Sequence, residues 1–557
     1  MRNNQTIILI IIFLFPVLFA TAQNLQWATD MGGIDFEYAT SITVAPSGNI
    51  YVTGNYASSG LLNGSNYFLG NDIGSPQNLF VTKLDSTGNI LWAHHIRGIL
   101  FLYASGVSLQ LDSKENLYVS ATYFADEIYI GSDTFPSYQT DEYDILIKFD
   151  SAGNYLWARQ SGTAEDYETD IHHSIDVLDN NYIMGNVKGG TVAFDSISFS
   201  TQYNLSTRFL VSLNPEGHSR WGLKFSSEWG NFSHYFDLNS LFIDRNSIIN
   251  VVGRTGGDSL KIGNSLKYMD SLNYFILSVD TLGNVLNMSS LPIPVNQCKV
   301  YSTIVDSKNN YYFAGTFFSD TLFFDSSNYL IASDTLANAS DIWIIKTDSN
   351  FNILKIAFFG GNKRDYFRII KTDANDNVYL SGKTDSDTLF FTNGFLKKHQ
   401  YQETFVFMLD DNLIPTPILS NTSSWTHDFF VDSRGDLFIA CEYYRDSVFG
   451  FLSLPLHGYG DVVVAKFGIN TSISNQTVPP ESFLLYPNPV SKYLYLSYGF
   501  KAGSVIEIYD ISGRKILEKR LNANLTKVDV SNYPKGIYIV RVIGKNNKVT
   551  TSKFIKE

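Results

Sequence analysis

The sequence of 557 residues contains only two cysteines, Cys298 and Cys441, and only six methionines. Two thiols this far apart in the sequence supply neither a disulfide framework nor a metal cage, so we expect both to be small buried residues in strands. The sequence also lacks the apolar periodicity of amphipathic helices. It contains no G-x-S-x-G elbow, no H-E-x-x-H motif and no Gly-rich phosphate loop, so no catalytic residue, cofactor or metal is predicted.

Long apolar runs are equally scarce. The one of note, Ile7–Phe19, follows Arg2 and precedes the small residues Ala20–Ala22, which is the order of a secretory signal peptide and its cleavage site. The run is short for a membrane span, although an uncleaved N-terminal anchor is the alternative interpretation. We therefore predict a signal peptide at residues 1–22, a mature chain without a transmembrane span, and a location outside the cell or at its surface.

Two phrases alternate along the sequence, each in seven copies. The first is an apolar strand, a polar turn and a second strand, and its copies are KLDSTGNILWA (Lys83–Ala93), KFDSAGNYLWA (Lys148–Ala158), SLNPEGHSRWG (Ser212–Gly222), SVDTLGNVLNM (Ser278–Met288), KTDSNFNILKI (Lys346–Ile356), MLDDNLIPTPI (Met408–Ile418) and KFGIN (Lys466–Asn470). The second is a polar turn that precedes an alternating strand, as in APSGNIYVTG (Ala45–Gly54) and DSKNNYYFAG (Asp306–Gly315). The period is about 64 residues, which indicates a repeat architecture.

Each repeat supplies four strands, in the order strand, short turn, strand, long connection, strand, short turn, strand. The seventh copy stops at Lys466–Asn470 without its last strand, and the mature N-terminus begins with such a strand, Leu25–Gly33. Pairing of the two would complete the seventh repeat and cover its edge. We therefore predict an all-β fold, with a seven-bladed β-propeller at residues 23–470 that the N-terminal strand closes. An open stack of β-hairpins is the alternative.

The repeats resemble the bacterial β-propeller repeat family, in which an Asp-Ile-Phe-Val-Ala-Lys-Leu-Asp strand precedes a Gly-Asn-Val-Leu-Trp-Ala strand. The resemblance covers residues 24–470 and is clearest at Asn78–Asp85, Asp144–Asp150 and Asp461–Phe467. Repeats three to six diverge, and the Trp of the last strand is absent after Trp221. The family defines an architecture, so the resemblance implies a propeller and no particular reaction.

After a Ser/Thr/Asn/Pro-rich linker, predicted at residues 471–481, the charge changes sign. Residues 482–557 hold 13 Lys/Arg and 5 Asp/Glu, a net charge of +8, whereas the whole chain carries −13. Removing Arg2 with the signal leaves −13 − 8 − 1 = −22 on residues 23–481. Nucleic acid is therefore a poor partner for the repeats. Alternating strands separated by Pro, Gly and Asn turns predict a small β-sandwich for the tail.

The tail closely resembles the type A C-terminal sorting domain of the type IX secretion system. The motif positions are Tyr486, Pro487, Asn488, Pro489, Gly513, Arg514, Gly536, Tyr538 and Lys553. The resemblance implies the type IX secretion machinery as a partner, transport across the outer membrane, removal of the tail, and attachment to the surface or release. An accessory sandwich that binds carbohydrate is the alternative.

The long connections of the predicted propeller lie on the face opposite the short turns, and functional residues concentrate in such loops. Aromatic residues lie where these connections begin, at Tyr56, Tyr123, Phe124, Phe317, Phe318, Tyr443 and Tyr444. Exposed aromatic rings suit sugar rings and protein partners, whereas packing between blades is the structural alternative. We predict non-catalytic binding of a glycan or a protein, with a secreted glycoside hydrolase or lyase as the alternative.

Two other patterns suggest metal ligands. Asp373–Asn377 and the turns at Asp85 and Asp150 resemble parts of calcium loops, but they lack the Gly and the bidentate Glu that such a loop needs. The pairs His94–His95 and His172–His173 would point to opposite faces of a strand, so neither pair binds one metal through both rings. We interpret the aspartates as turn residues and predict no metal site.

Overall fold

The structure is a computed structural model of the whole chain. It describes residues 24–468 and 483–556, except for short internal segments at 58–59, 64–65, 71–77, 100–102, 125–126, 137–141, 165–170, 227–236, 256–258, 264, 269–272, 326, 334–339, 393, 398–402, 423, 444–446, 450–451, 455–457, 487–489, 491, 499–503, 521–524 and 544–548. Every regular element within these residues is a β-strand, so the predicted all-β class is confirmed. A search of the same residues for a helix of membrane-spanning length and hydropathy finds none. The predicted signal peptide and the predicted linker lie outside the described residues.

Each of the first six repeats forms a four-stranded antiparallel sheet in which its strands are neighbours in chain order, and repeat 7 supplies three strands of a seventh such sheet. We number the sheets 1 to 7. Their strands are Glu37–Val44, Ile50–Tyr56, Asn78–Leu84 and Ile90–Ile99 in sheet 1; Tyr103–Leu111, Leu117–Phe124, Glu142–Phe149 and Tyr155–Ala164 in sheet 2; His172–Ile175, Asn181–Phe194, Ile197–Leu213 and Ser219–Ser226 in sheet 3; Asp237–Ile243, Ile249–Thr255, Asn273–Val279 and Val285–Ser290 in sheet 4; Cys298–Val305, Tyr311–Phe317, Asp341–Thr347 and Ile353–Gly360 in sheet 5; Asp365–Thr372, Val378–Thr384, Glu403–Leu409 and Pro415–Thr422 in sheet 6; and Ser424–Val431, Leu437–Tyr443, Asp461–Gly468 and Asn24–Met31 in sheet 7.

Sheet 7 takes its fourth strand from the start of the chain. Asn24–Met31 pairs antiparallel with Asp461–Gly468, from Asn24 opposite Gly468 to Met31 opposite Val462. The expected pairing of the N-terminal strand with the seventh repeat is therefore present. Because Asp461–Gly468 would otherwise be an open edge, the pairing satisfies a row of backbone groups.

The hydrophobic core is divided among the contacts between consecutive sheets. Sheets 1 and 2 share a cluster that includes Tyr51 and Val119, and similar clusters join sheets 2 to 3, 3 to 4, 4 to 5, 5 to 6 and 6 to 7. A further cluster joins sheet 7 to sheet 1, with Val464 beside Val52. Alternating side chains produce this arrangement, because both faces of a central strand meet a neighbouring sheet.

The short turns share one hydrogen-bond pattern. In the turn at Asp85 the carboxylate accepts the backbone N–H groups of Thr87 at 2.8 Å and Asn89 at 3.0 Å, as well as the Asn89 side-chain amide. Side-chain hydrogen bonds from Asn89 and Thr87 lower the pKa of Asp85 below its ordinary value. The fourth turn residue has a positive φ in every described turn of this kind in the repeats, at Gly48, Gly88, Glu115, Gly153, Asp179, Gly217, Ser247, Gly283, Asn309, Phe351, Asp376, Leu413 and Gly435.

Tryptophans of the fourth strands lie against the turns of the next sheet. A Cβ built on Gly217, where φ is +83°, would lie 2.9 Å from the indole of Trp157. The indole nitrogen of Trp157 donates a hydrogen bond to the carbonyl of Pro215 in the same turn, at 3.2 Å. The same glycine contact occurs at Trp27 with Gly88, Trp92 with Gly153, and Trp221 with Gly283, and the indole nitrogens of Trp27 and Trp221 also donate to the turn. The repeated Trp of the sequence therefore packs at the junction between two neighbouring sheets.

The long connections contain strands that the sequence analysis did not predict. Every repeat has a β-hairpin there, and the hairpins are Gly60–Asn63 with Asn66–Gly70, Glu127–Ile130 with Asp133–Pro136, the far ends of Asn181–Phe194 and Ile197–Leu213, Ser259–Ile262 with Ser265–Tyr268, Thr321–Phe323 with Tyr329–Ile331, Thr388–Phe391 with Gly394–Lys397, and Ser447–Phe449 with Leu452–Leu454. Those of repeats 2, 4 and 6 pair with the fourth strand of the preceding sheet. They extend an otherwise exposed sheet edge, which explains why a polar connection adopts strand structure.

The tail forms a small two-sheet sandwich. One sheet contains Phe483–Tyr486, Tyr493–Tyr498 and Leu525–Asp529, and the other contains Val505–Asp510, Lys515–Arg520, Gly536–Ile543 and Val549–Lys556. Buried residues of both sheets, including Leu494, Ile508 and Val540, form one core. Within the repeats, Cys298 and Cys441 are both buried, as expected from the sequence, and neither forms a disulfide.

Candidate functional site

The predicted ligand-binding aromatics begin the long connections, at the end of each sheet that lies opposite the short turns. We call this the loop end of a sheet. Tyr56, Tyr123, Phe317 and Tyr443 are buried there, so their rings have no surface to offer a ligand. Tyr444 and the side chain of Phe124 lie outside the described residues. Phe318 is the exception, because 62% of it is exposed.

Three of the four buried aromatics, the tyrosines, have internal polar partners. The Tyr56 hydroxyl lies 3.2 Å from Nδ1 of His95, and the Tyr123 hydroxyl accepts a hydrogen bond from Gln160 at 2.9 Å. Burial raises the pKa of the Tyr443 phenol, and the nearby Asp461 carboxylate raises it further. These groups satisfy polar atoms that would otherwise be unpaired in the core. The burial of the four rings matches the structural alternative of packing, because the strand ends turn them into the core.

Phe318 belongs to an exposed aromatic patch on repeat 5. Its backbone N–H donates to the carbonyl oxygen of Gln297 at 3.3 Å, and the backbone N–H of Phe323 donates to the side-chain oxygen of the same glutamine at 3.2 Å. Phe323 is 52% exposed and contacts Tyr329, with 5.7 Å between the ring centroids. Gln297 therefore holds two exposed phenylalanines on one short stretch of the loop end.

A charged network links sheets 6 and 7 at the loop end. His427 Nε2 lies 3.5 Å from Glu442 Oε1, and Lys383 Nζ lies 5.3 Å from the centre of the Tyr366 ring. Burial lowers the pKa of Lys383 to about 8. Burial also lowers the pKa of Arg368, whereas the Glu442 carboxylate raises it. Because Lys383 and Glu442 are buried, the network fixes this junction and presents little charge to solvent.

A second network joins sheets 3 and 4. Arg254 binds the Asp237 carboxylate through Nε at 2.8 Å and through its terminal nitrogen, and Arg208 lies 3.5 Å from the other carboxylate oxygen. Burial lowers the pKa of the adjacent His172 to about 4, and the positive charge of Arg208 contributes. An imidazole in this position is neutral at pH 7.

The residues considered as metal ligands have other partners. The Asp373 carboxylate accepts the backbone N–H groups of Asn375 and Asn377, both at 2.9 Å, and the Asn377 side-chain amide. His94 stacks on Phe149, whereas its neighbour His95 contacts Tyr56. In the described part of the chain, no three His, Cys, Asp or Glu side chains lie close enough together to hold a metal ion.

The sorting-motif residues of the tail occupy turns and strand positions. Gly513 has a φ of +83° in a turn where the Asp510 carboxylate accepts the backbone N–H of Arg514 at 3.1 Å. Tyr538 is buried, stacks on Phe554 at 5.1 Å and donates its hydroxyl hydrogen to the carbonyl of Pro534. The remaining positions are Tyr486, Gly536 and Lys553, which lie in strands, and Pro487, Asn488 and Pro489, which lie outside the described residues.

Solved structures offer only distant similarity. PorZ, an essential surface component of the type-IX secretion system of Porphyromonas gingivalis, is 10% identical over 93% of this chain and 81% of its own, with a TM-score of 0.26. A Dyadobacter fermentans protein of unknown function is 9% identical over 80% of this chain and 99% of its own, with a TM-score of 0.36. A PL25 ulvan lyase bound to a -[GlcA(1-4)Rha3S]- saccharide is 9% identical over 74% of this chain and 93% of its own, with a TM-score of 0.38. These scores are too low to support an argument about fold or function.

No curated protein matches the sequence. The tail, however, matches the model of a protein family. Residues 484–557 match the model of the secretion system C-terminal sorting domain, and this segment includes most of the sandwich described above. Such a domain implies handling by the type IX secretion machinery and a destination at the cell surface or outside the cell. The C-terminal segment of this protein is therefore a secretion system sorting domain.

Proposed function

We propose that this protein is an exported seven-bladed β-propeller that binds a glycan or protein ligand without catalysis. The propeller would comprise residues 23–470, joined by a linker at 471–481 to the sorting sandwich at 482–557. Two observations support the architecture. Asn24–Met31 completes sheet 7, and a core cluster joins sheet 7 to sheet 1 as other clusters join the remaining neighbours. A cyclic series of sheet contacts is what a propeller requires, whereas an open stack leaves two ends uncovered.

The exposure of Phe318 is the observation that carries the binding proposal. An exposed phenylalanine beside a second one costs solvation free energy unless a ligand covers them. The backbone of both residues is anchored to Gln297, so little conformational entropy would be lost when a ligand binds. Loop ends of a fixed scaffold are a usual location for binding residues.

The adjacent phenylalanines provide a matched test. The secreted form, residues 23–557, is screened against a glycan array and against lipopolysaccharide, and the dissociation constant of each hit is measured for Phe318→Ala and Phe317→Ala. We expect Phe318→Ala to weaken binding about tenfold with an unchanged melting temperature, because its ring is exposed. Phe317→Ala should lower stability by about 3 kcal/mol, because its ring is in the core.

The opposite pattern would contradict this site. If Phe318→Ala binds as tightly as the original protein does, repeat 5 is not the binding surface. Hydrolysis or elimination of a bound polysaccharide by the purified protein would instead favour the alternative of a secreted glycoside hydrolase or lyase.

The route of export is the second part of the proposal. The predicted signal peptide would take the chain out of the cytoplasm, and the sorting domain would pass it to the type IX machinery. We propose that the propeller is then attached to the outer membrane surface or released after the tail has been removed.

A further inference from the structure

Two large aromatic side chains from opposite ends of the repeat array stack on each other in an exposed position. Phe36 precedes the first strand of sheet 1, and Tyr459 precedes the third strand of sheet 7. Their ring centroids are 5.3 Å apart and their planes are inclined by 22°. Phe36 is 47% exposed and Tyr459 is 67% exposed, so the pair lies on the surface of the loop end where sheets 7 and 1 meet.

The backbone fixes the position of this pair. The N–H of Tyr459 donates to the carbonyl of Asp35 at 3.1 Å, and Phe36 forms a parallel bridge with Gly460. The carbonyl of Phe36 also accepts the N–H of Ala57 at 3.0 Å. Because both main chains are held, the rings need little ordering before a ligand binds.

The same backbone arrangement occurs at the junction of sheets 5 and 6 without an aromatic residue at the position of Phe36. There Ser340 forms a parallel bridge with Arg364, and the N–H of Asp385 donates to the Arg364 carbonyl at 2.9 Å. Arg364 thus occupies the position of Phe36. A sheet junction of this kind therefore forms without an exposed phenylalanine, and structure alone does not account for the aromatic pair.

The surroundings of the pair favour a sugar over a protein partner. Two rings expose far less than the roughly 800 Å² that one partner contributes to a stable protein interface. Polar groups lie close by. The carboxylate of Asp35 accepts a hydrogen bond from the backbone N–H of Phe36 at 3.1 Å, and the ring centroids of Tyr38 and His427 are 6.2 Å apart. A pyranose has one apolar face and a rim of hydroxyl groups, and it requires this combination of an aromatic surface and hydrogen-bonding neighbours.

We propose that Phe36 and Tyr459 form a stacking site for a pyranose ring of a glycan ligand. This inference rests on the proposed binding function and adds a second binding surface, separate from Phe318. The site exists only when the N-terminal and C-terminal repeats meet, because each contributes one ring.

The test uses purified residues 23–557 and a panel of soluble polysaccharides, namely dextran, mannan, xylan, pectin and chondroitin sulfate, in affinity electrophoresis. The double variant Phe36→Ala/Tyr459→Ala should weaken binding of at least one polysaccharide about tenfold or more. Phe36→Leu/Tyr459→Leu should weaken it equally, because leucine keeps the apolar volume but has no aromatic face. The matched control Arg364→Ala should bind as the original protein does.

Each other outcome contradicts the inference in a distinct way. Unchanged binding in both double variants together with weaker binding in Phe318→Ala would leave the binding function standing and overturn this site. Polysaccharide binding that is retained in the leucine variant alone would indicate an apolar contact that needs no aromatic face, and it would overturn stacking as the mode of binding. Failure of the original protein to bind any polysaccharide in the panel would overturn the sugar assignment, and capture of a protein ligand by the same protein would still support the proposed function.

Discussion

The junctions between neighbouring sheets are of two types. In one type the fourth strand of a sheet supplies the large apolar side chain, and in the other the turn of the next sheet supplies it. From sheet 7 through sheet 4, a tryptophan of one sheet packs on a glycine in the turn of the next, as Trp221 does on Gly283. Between sheets 4 and 5 the corresponding positions hold Asn287 and Phe351. Phe351 adopts a positive φ of 62° and contacts Tyr311, with 5.2 Å between the ring centroids. The turn itself thus supplies the ring that the tryptophan no longer provides.

The next junction follows the second pattern. Between sheets 5 and 6 the tryptophan position holds Lys355, and the turn residue is Leu413, which has a positive φ and is buried. A left-handed conformation costs a non-glycine residue about 1–2 kcal/mol, and burial of a large apolar side chain contributes about 2 kcal/mol. The divergence of the repeats is therefore compensated within these two junctions. A lost tryptophan and a lost glycine are two parts of one change.

The largest effect is expected from removing the strand that completes sheet 7. Deletion of Leu25–Gly33 removes the buried Leu25 and Met31 and exposes the edge of Asp461–Gly468. Loss of these side chains and backbone pairs should destabilise the repeats by more than about 5 kcal/mol and promote aggregation. Thermal melting and size-exclusion chromatography would measure both effects. The exposed Gln26→Ala is the control, and a deletion variant that melts at the original temperature would exclude closure by this strand.

The tryptophan–glycine contact can be separated from the cost of a positive φ. Gly217→Ala adds a methyl group against Trp157, whereas Gly48→Ala meets only the Ser86 Cβ at 3.6 Å. Both glycines have a positive φ near +85°, so both variants should lose about 1 kcal/mol to backbone strain. Displacement of Trp157 should add about 2 kcal/mol in Gly217→Ala alone. Urea denaturation would give both values, and equal losses would mean that the indole contact contributes nothing.

Acid should lower the stability of sheet 3. This sheet has a tryptophan–glycine contact with each of its two neighbouring sheets, so neither junction lacks its tryptophan. Burial lowers the pKa of His173 to about 4, although a hydrogen bond with Asn181 raises it. The unfolded chain binds a proton near pH 6.5, so stability is full above that pH and decreases as the pH falls toward 4. This histidine should contribute a loss of about 2 kcal/mol between pH 7 and pH 4.5.

The variant His173→Gln isolates this contribution. Its loss of stability between pH 7 and pH 4.5 should be smaller than that of the original protein by the same amount. Burial raises the pKa of Asp365, so protonation of that carboxyl favours the folded state and acts in the opposite direction. An identical pH dependence in the two proteins would show that His173 is not the group responsible.

The smallest effect on the repeats is expected from shortening the tail. Deletion of Lys553–Glu557 removes Phe554 from the sandwich core, so the sorting domain should lose its structure while the repeats melt unchanged. The truncated protein should stay in the periplasm, whereas Lys553→Ala, which keeps Phe554, tests the charge alone. Cell fractionation would measure the location. Normal surface display of the truncation would contradict the role of the tail as an export signal.

Local features of the sequence determined the strand order and the turns. An Asp at the start of most turns bonds the backbone two and four residues later, so this signal needs no tertiary context. The N-terminal strand was predictable because its sequence matches the strand that repeat 7 lacks. The extra hairpins were missed, although dipeptides such as Asn63-Gly64 and Asn393-Gly394 are hairpin signals.

Only the tertiary structure decided which aromatic side chains reach the surface. Phe317 and Phe318 are neighbours of the same type, yet one lies in the core and the other is 62% exposed, because the buried strand ends at Phe317 and Phe318 begins the connection that follows it. No local pattern relates Phe36 to Tyr459, which are brought together by contacts between the first and last repeats. A sequence period specifies the contacts within each repeat, whereas exposure at a junction depends on how two repeats pack against each other.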